Sequence, residues 1–107
     1  MNDPTYVEAA RALAQRALLE GGKDEKSRVI YAFRLATART PTGKEVGVLR
    51  ELLKGRLKSF GIDRRSAVKL VGVGESSRDT RLDPAELAAW TTVASVILNL
   101  DETITKQ

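Results

Sequence analysis

The sequence predicts an all-α fold, a small bundle of about five helices with the last helix at its centre. Apolar residues recur at three- and four-residue spacing along most of the chain, cap residues precede these stretches, and glycines or prolines end them. The chain has 107 residues, of which 42% are hydrophobic and 30% charged, a composition typical of one compact domain. We therefore expect residues 1–107 to form a single helical domain.

The first helix is predicted over residues 4–20. Asn2 or Asp3 can cap it, because a short side-chain oxygen accepts hydrogen bonds from the free amides at a helix start, and Pro4 needs no donor in the first turn. The Gly21-Gly22 pair then ends the apolar periodicity. The stripe facing the core is expected to contain Tyr6, Val7, Ala10, Leu13, Ala14, Ala17 and Leu18.

The second and third helices are predicted over residues 25–38 and 43–59. Asp24 can cap the second helix, which ends before a proline because the residue before proline disfavours the helical conformation. Thr42 and Glu45 have the spacing of a capping box, in which each side chain binds the backbone amide of the other residue. The third helix therefore begins directly after Thr42.

A short fourth helix and a loop are predicted next. Asp63 or Ser66 can cap the apolar cluster at residues 67–71, and glycines follow that cluster. Residues 72–82 are rich in glycine, serine and charge, and they show no periodicity. We expect a surface loop there, and we expect it to be the most mobile segment of the chain.

The last helix is predicted to run from the Asp83-Pro84 pair to Leu100. Apolar residues cover most of its circumference, which places it at the centre of the bundle with Trp90 buried. Its apolar stretch is too short and too often interrupted by polar residues to span a membrane.

The chain contains no cysteine and no histidine. These absences exclude disulfides, cysteine nucleophiles and the commonest ligands of zinc, copper and haem, and they remove the usual general base at neutral pH. We expect no cofactor and no metal, and any catalytic site would depend on carboxylates, hydroxyls and lysines.

A series of short motifs along nearly the whole chain resembles one protein family. The motifs are NDPTYVEAARALA (2–14), YAFRLAT (31–37), PT (41–42), VGES (73–76), LDPAELAAW (82–90) and LNLDE (98–102). They look like the C-terminal end of large planctomycete-type proteins that carry a cytochrome-c-like module and a terminal domain of unknown function. The resemblance implies an exported or periplasmic parent protein, of which this chain is a C-terminal fragment, with upstream domains of the same polypeptide as partners. It supplies no catalytic residues, and any haem chemistry would belong to another module.

Positive charge is concentrated in the middle of the chain. Residues 26–69 hold twelve of the Lys and Arg residues and only three of the Asp and Glu residues, whereas the flanking segments are net acidic. Arg50, Lys54 and Lys58 share one face of the third helix at four-residue spacing, and Arg65 follows. We predict an interaction face there, which could bind an acidic protein surface or a polyanion. Nucleic acid is the less favoured partner, because no aromatic residue is interleaved for base stacking.

Two acidic residues near the end of the last helix are expected to need a positively charged partner. Asp101 and Glu102 lie where negative charge opposes the helix dipole. Arg34 lies in the apolar run of the second helix, where an unpaired guanidinium would be costly. We therefore predict a structural ion pair between Arg34 and Asp101.

The segment at residues 72–77, GVGESS, superficially resembles a phosphate-binding loop, since glycines let backbone amides approach an anion. It lacks a preceding strand and the Gly-Lys-Ser/Thr ending, so a helix end followed by a loop is the favoured interpretation. Glu75, Asp79 and Glu86 are the carboxylates that this chain could contribute to an active site.

The favoured function is a non-catalytic helical interaction or docking module at the C-terminus of a larger exported protein, and not an enzyme in itself. One alternative is an accessory part of a hydrolytic or redox active site completed by other domains. A second alternative is a module that binds polyanions. The sequence does not indicate an oligomeric state.

Overall fold

The computed structural model describes the backbone of residues 3–105 and the side chains of residues 3–100. Within that range the chain forms five α-helices and no β-strand, which confirms the predicted all-α fold. The helices are α1 (Pro4–Glu20), α2 (Glu25–Thr37), α3 (Gly43–Ile62), α4 (Arg64–Val71) and α5 (Pro84–Thr105). None of these five helices is both long and apolar enough to cross a lipid bilayer.

Short polar side chains begin the helices at predicted positions. Asp3, Asp24 and Asp63 each accept a hydrogen bond from a first-turn amide of the helix that follows. Asp83 accepts one from the Glu86 amide at 3.0 Å. Each of these amides lacks an intrahelical partner, so a cap of this kind contributes about 1 kcal/mol to stability.

The predicted capping box at the start of α3 is also present, and an arginine strengthens it. The Glu45 amide donates to the Thr42 hydroxyl at 3.1 Å, and the Glu45 carboxylate accepts from the Thr42 amide at 2.9 Å. The same carboxylate accepts two hydrogen bonds from the Arg39 guanidinium, at 2.9 and 2.8 Å. The Arg39 guanidinium, followed by the Thr42 amide, lowers the pKa of Glu45 from its usual 4.5 to about 2.

Helix α3 continues past its predicted end at residue 59 to Ile62. The glycine at position 61 does not end the helix, because among the glycines of the described residues only Gly22 and Gly74 have positive φ angles. The break comes instead at Asp63, whose amide still donates to the Ser59 carbonyl at 2.9 Å while its side chain caps α4. A single residue therefore separates α3 from α4.

Helix α5 is central, as its apolar circumference predicts. It packs against all four of the other helices. Leu87, Val93 and Ile97 are fully buried, and Trp90 is 3% exposed. Burying a side chain of this size contributes about 1.5–3 kcal/mol, so α5 supplies much of the driving force for assembling the bundle.

Arg11 of α1 is buried, with 2% of its surface exposed, and it binds the segment after α4. Its Nη1 donates to the carbonyls of Val71 and Val73, each at 2.8 Å. Its Nη2 donates to the carbonyl and the hydroxyl of Ser76, each at 2.7 Å. The guanidinium therefore satisfies three backbone carbonyls where the chain leaves α4.

Two further side chains of α1 bind the same loop. The Glu8 carboxylate accepts hydrogen bonds from the amides of Glu75 and Ser76. The Gln15 side chain accepts one from the Asp79 amide at 2.9 Å. The segment at residues 72–82 is thus a loop, as predicted, but it is fastened to α1 along its length and not only at its ends.

Replacing Arg11 by methionine should reduce the free energy of unfolding by about 2–4 kcal/mol, because three carbonyls lose a charged donor and one of these bonds is buried. Arg16→Met is the matched control on the same helix. Arg16 is exposed and forms its ion pair with Glu20 at the surface, where solvent screens the interaction, so that change should have a much smaller effect than Arg11→Met. Urea unfolding of both variants checks this, and equal losses would contradict the role assigned to Arg11.

Glu45 should contribute to the dependence of stability on pH. Its folded-state pKa is lowered, so its contribution is fully present above pH 4.5 and is lost as the pH falls toward 2. Glu45→Gln retains a side chain that can complete the capping box but removes the charge that binds Arg39. The variant should therefore lose less stability than the unmodified chain between pH 4.5 and pH 2, measured by urea unfolding across that range. An unchanged pH dependence would show that the ion pair has no such effect.

Candidate interaction face

The predicted interaction face lies on the outer side of α3. The inner side of this helix is anchored in the core by Val46, Leu49 and Leu53. Arg50, Lys54 and Lys58 are exposed. Their spacing of four residues aligns the three cationic groups along one side of the helix.

The three cations differ in whether they are already paired. Arg50 Nε donates to Glu25 Oε1 of α2 at 3.1 Å. Among the side chains of residues 3–100, no carboxylate lies within ion-pair distance of Lys54 or Lys58. Arg50 therefore links α2 to α3, whereas the two lysines are available to an external anion.

A shallow groove between α2 and α3 runs beside these cations. Two neighbouring depressions, of about 460 and 390 Å³, have Gly47 and Arg50 as common lining residues, and the two together are called the groove. Its other lining residues are Glu25, Lys26, Ile30, Pro41, Gly43, Val46, Glu51, Lys54 and Leu57. The groove combines apolar surface with charges of both signs, an arrangement that can bind a peptide segment.

The fourth predicted residue of the face, Arg65, is exposed on α4. No ion pair involving Arg65 occurs within the described part of the chain. Its neighbour Arg64 is instead paired, through a hydrogen bond of 2.9 Å to Asp83 at the start of α5. Arg65 does not line the groove between α2 and α3.

The glycine-rich loop at residues 72–77 offers little to an external phosphate. The amides of Glu75 and Ser76, which such a loop would present to an anion, already donate to the Glu8 carboxylate. Gly74 has a φ of 97°, and a Cβ added there would collide with the Glu8 side chain. The glycine lets the backbone approach an internal carboxylate, which occupies the position of an anionic ligand.

The carboxylates considered for an active site have structural partners or lie near helix ends. Arg81 binds Asp79 through a hydrogen bond of 2.7 Å, and this contact lowers the pKa of Asp79 to about 2. A carboxyl with that pKa is a weak base and is fully ionised at neutral pH, so it is poorly suited to general acid or base work. Glu86 lies in the first turn of α5, and Glu75 is exposed on the loop. Within the described residues no cluster of three or more acidic side chains could hold a metal ion.

Arg34 is exposed on α2, where it lines a wider depression of about 700 Å³ together with Tyr31 and Leu35. The prediction of an ion pair with Asp101 was based on an apolar environment for this guanidinium. An exposed guanidinium is hydrated and does not need a partner, so that reason does not apply. The Asp101 side chain lies outside the described residues, and the pair itself stays a prediction.

Two features of the structure, the buried Arg11 and the groove between α2 and α3, were not predicted from the sequence. Arg11 occupies a position on the buried stripe of α1, four residues after Val7 and three before Ala14. A charged residue within an apolar stripe was the available signal, since it must find buried partners. The groove depends on how α2 and α3 pack, which the spacing of residues within each helix does not reveal.

Known proteins provide no direct counterpart for this chain. No protein-family model, no curated protein and no solved structure matches it. The likeness of its short motifs to the terminal domain of planctomycete-type proteins therefore stays a prediction. The physical properties of the α3 face and its groove are the basis for the function proposed below.

Proposed function

We propose that this chain is a non-catalytic docking module that binds another part of a larger polypeptide through the outer face of α3. The observation that carries the proposal is the row of exposed cations at Arg50, Lys54 and Lys58. Two of the three have no carboxylate partner among the described side chains. An acidic protein surface would complement them and would gain in specificity and association rate.

Helix α3, which carries these charges, is fixed in place by buried side chains and by its capping box. Leu49 and Leu53 are no more than 2% exposed, and a capping box fixes the start of α3. A face on a fixed helix loses little conformational entropy when a partner binds. This rigidity supports a docking role more than a role in which the face must fold on binding.

The resemblance described above supplies the proposed setting. An upstream domain of an exported parent protein would be the natural partner, because a domain on the same polypeptide is present at a high effective concentration. Docking would then be intramolecular, and a modest interface would be sufficient.

The second candidate function is binding of a polyanion, and the charge distribution favours it. Residues 26–69 hold twelve basic and three acidic residues, so their field is strongly positive. Binding to a phosphate or sulfate polymer would weaken steeply with salt, because condensed counterions are released on binding. This dependence distinguishes it from docking on a folded partner with apolar contacts.

Charge reversal tests the docking face directly. The Lys54→Glu/Lys58→Glu variant should bind the upstream part of the parent polypeptide about tenfold more weakly or worse, as measured by calorimetric titration. Lys23→Glu/Lys69→Glu is the control, since it changes the net charge equally at exposed lysines of other segments. It should bind like the unmodified chain.

The same variants separate the two candidates. Equal weakening in both double variants would indicate that net charge, and not the α3 face, governs binding. Heparin or duplex DNA in place of the upstream polypeptide tests the polyanion role. Saturable docking on the polypeptide with no binding to these polymers supports the proposal, and the reverse pattern overturns it.

A further inference from the structure

The groove between α2 and α3 is open along its α3 wall because two of its residues are glycines. A Cβ added at Gly43 or Gly47 would have no atom within 4 Å. Nothing in the described chain fills this space, so the backbone of α3 can be approached closely from outside. Ile30 of α2 provides apolar surface in one of the two depressions, and Leu57 of α3 provides it in the other.

The charges beside the groove complement a particular kind of occupant. Lys26 and Lys54 line it without carboxylate partners among the described side chains, next to the Arg50 and Glu25 pair. The carboxylates of Glu25 and Glu51 also line it. A nucleic acid backbone would bring phosphates toward both carboxylates, whereas a peptide can place each acidic residue opposite a lysine.

We infer that this groove binds an acidic helix from the partner, with small residues of that helix against Gly43 and Gly47 and its carboxylates on Lys26 and Lys54. Small residues allow two helix backbones to approach closely, and Glu side chains at four-residue spacing reach cations on both sides. This inference rests on the proposed docking function and names its binding site and the chemistry of its partner.

The probe is a synthetic 20-residue helical peptide (about 30 Å long) with alanine along one stripe and glutamate along the adjacent stripe. It is titrated into the complete ¹⁵N-labelled chain, and amide chemical shifts are followed by NMR. We expect saturable shifts at the groove residues Gly43, Gly47 and Lys54. A peptide with glutamine in place of glutamate should bind about tenfold more weakly, because it lacks the charges that meet the two lysines.

Two glycine substitutions form a matched pair. Gly47→Leu fills the groove, whereas Gly55→Leu places the same side chain on the same helix at a position that does not line the groove. Both changes replace an exposed helical glycine by a better helix former, so both variants should fold and have raised thermal midpoints. Peptide binding should fall at least about tenfold in Gly47→Leu and stay unchanged in Gly55→Leu.

The outcomes are distinct from those of the docking test. Shifts spread over the basic surface, no peptide binding, or equal binding to both leucine variants would each overturn the groove inference. Binding of a DNA duplex that Gly47→Leu also abolishes would assign the groove to nucleic acid and overturn the inference as well. If the upstream polypeptide binds the unmodified chain and Gly47→Leu equally, the docking function stands and only the groove is wrong.

Discussion

Helix α5 is apolar on almost every side, and the arrangement of the other helices follows from the need to cover it. Leu87, Ala88 and Ala89 are consecutive and so point about 100° apart around the helix axis, and all three have no exposed surface. A single neighbouring helix covers only one side of another helix, so burial on every side requires several neighbours. Helices α1, α3, α4 and α2 fulfil this requirement, and each can therefore turn a polar side toward solvent.

Arg11 introduces a second constraint of a different kind. A buried guanidinium stabilises a fold only if its donors are satisfied, and here they bind carbonyls of a segment far along the chain. The hydrogen bonds fix the path from α4 toward α5, which in turn leads to the Asp83 cap. The polar contacts of α1 thus set the position of the loop, while the apolar contacts of α5 set the positions of the helices. Since several of the loop's amides and carbonyls are used in this way, the loop offers less to a partner than the lysines on the outer face of α3, which have no carboxylate partner among the described side chains.

The sequence predicted the five helices and the central place of α5 because these depend on local signals. Caps at Asp24 and Thr42 and the apolar periodicity between them are readable within a single segment. The predicted end of α3 at residue 59 is too early because glycine is a common helix stop, whereas the backbone of Gly61 remains helical. The contacts of Arg11 and the groove beside Gly47 join segments distant in sequence, and no local spacing encodes them. For the candidate site, the four-residue spacing correctly indicates that Arg50, Lys54 and Lys58 share an exposed side of α3, while their role as an interaction face stays a prediction. The pairing of Arg50 with Glu25 was not predicted.

The glycines of α3 show why an exposed glycine within a helix does not by itself indicate a binding surface. An exposed glycine inside a helix costs about 0.5–1 kcal/mol relative to alanine, and Gly47 and Gly55 both carry this cost with no neighbouring atoms to justify it. Within the described chain nothing explains Gly55, so a helical glycine by itself does not indicate a binding site. Gly47 differs because it lies in a groove that also holds Arg50 and Lys54. Close backbone access and opposite charge are both useful to an acidic helix, and their coincidence at one place on α3 is the basis for proposing a role for Gly47 and not for Gly55.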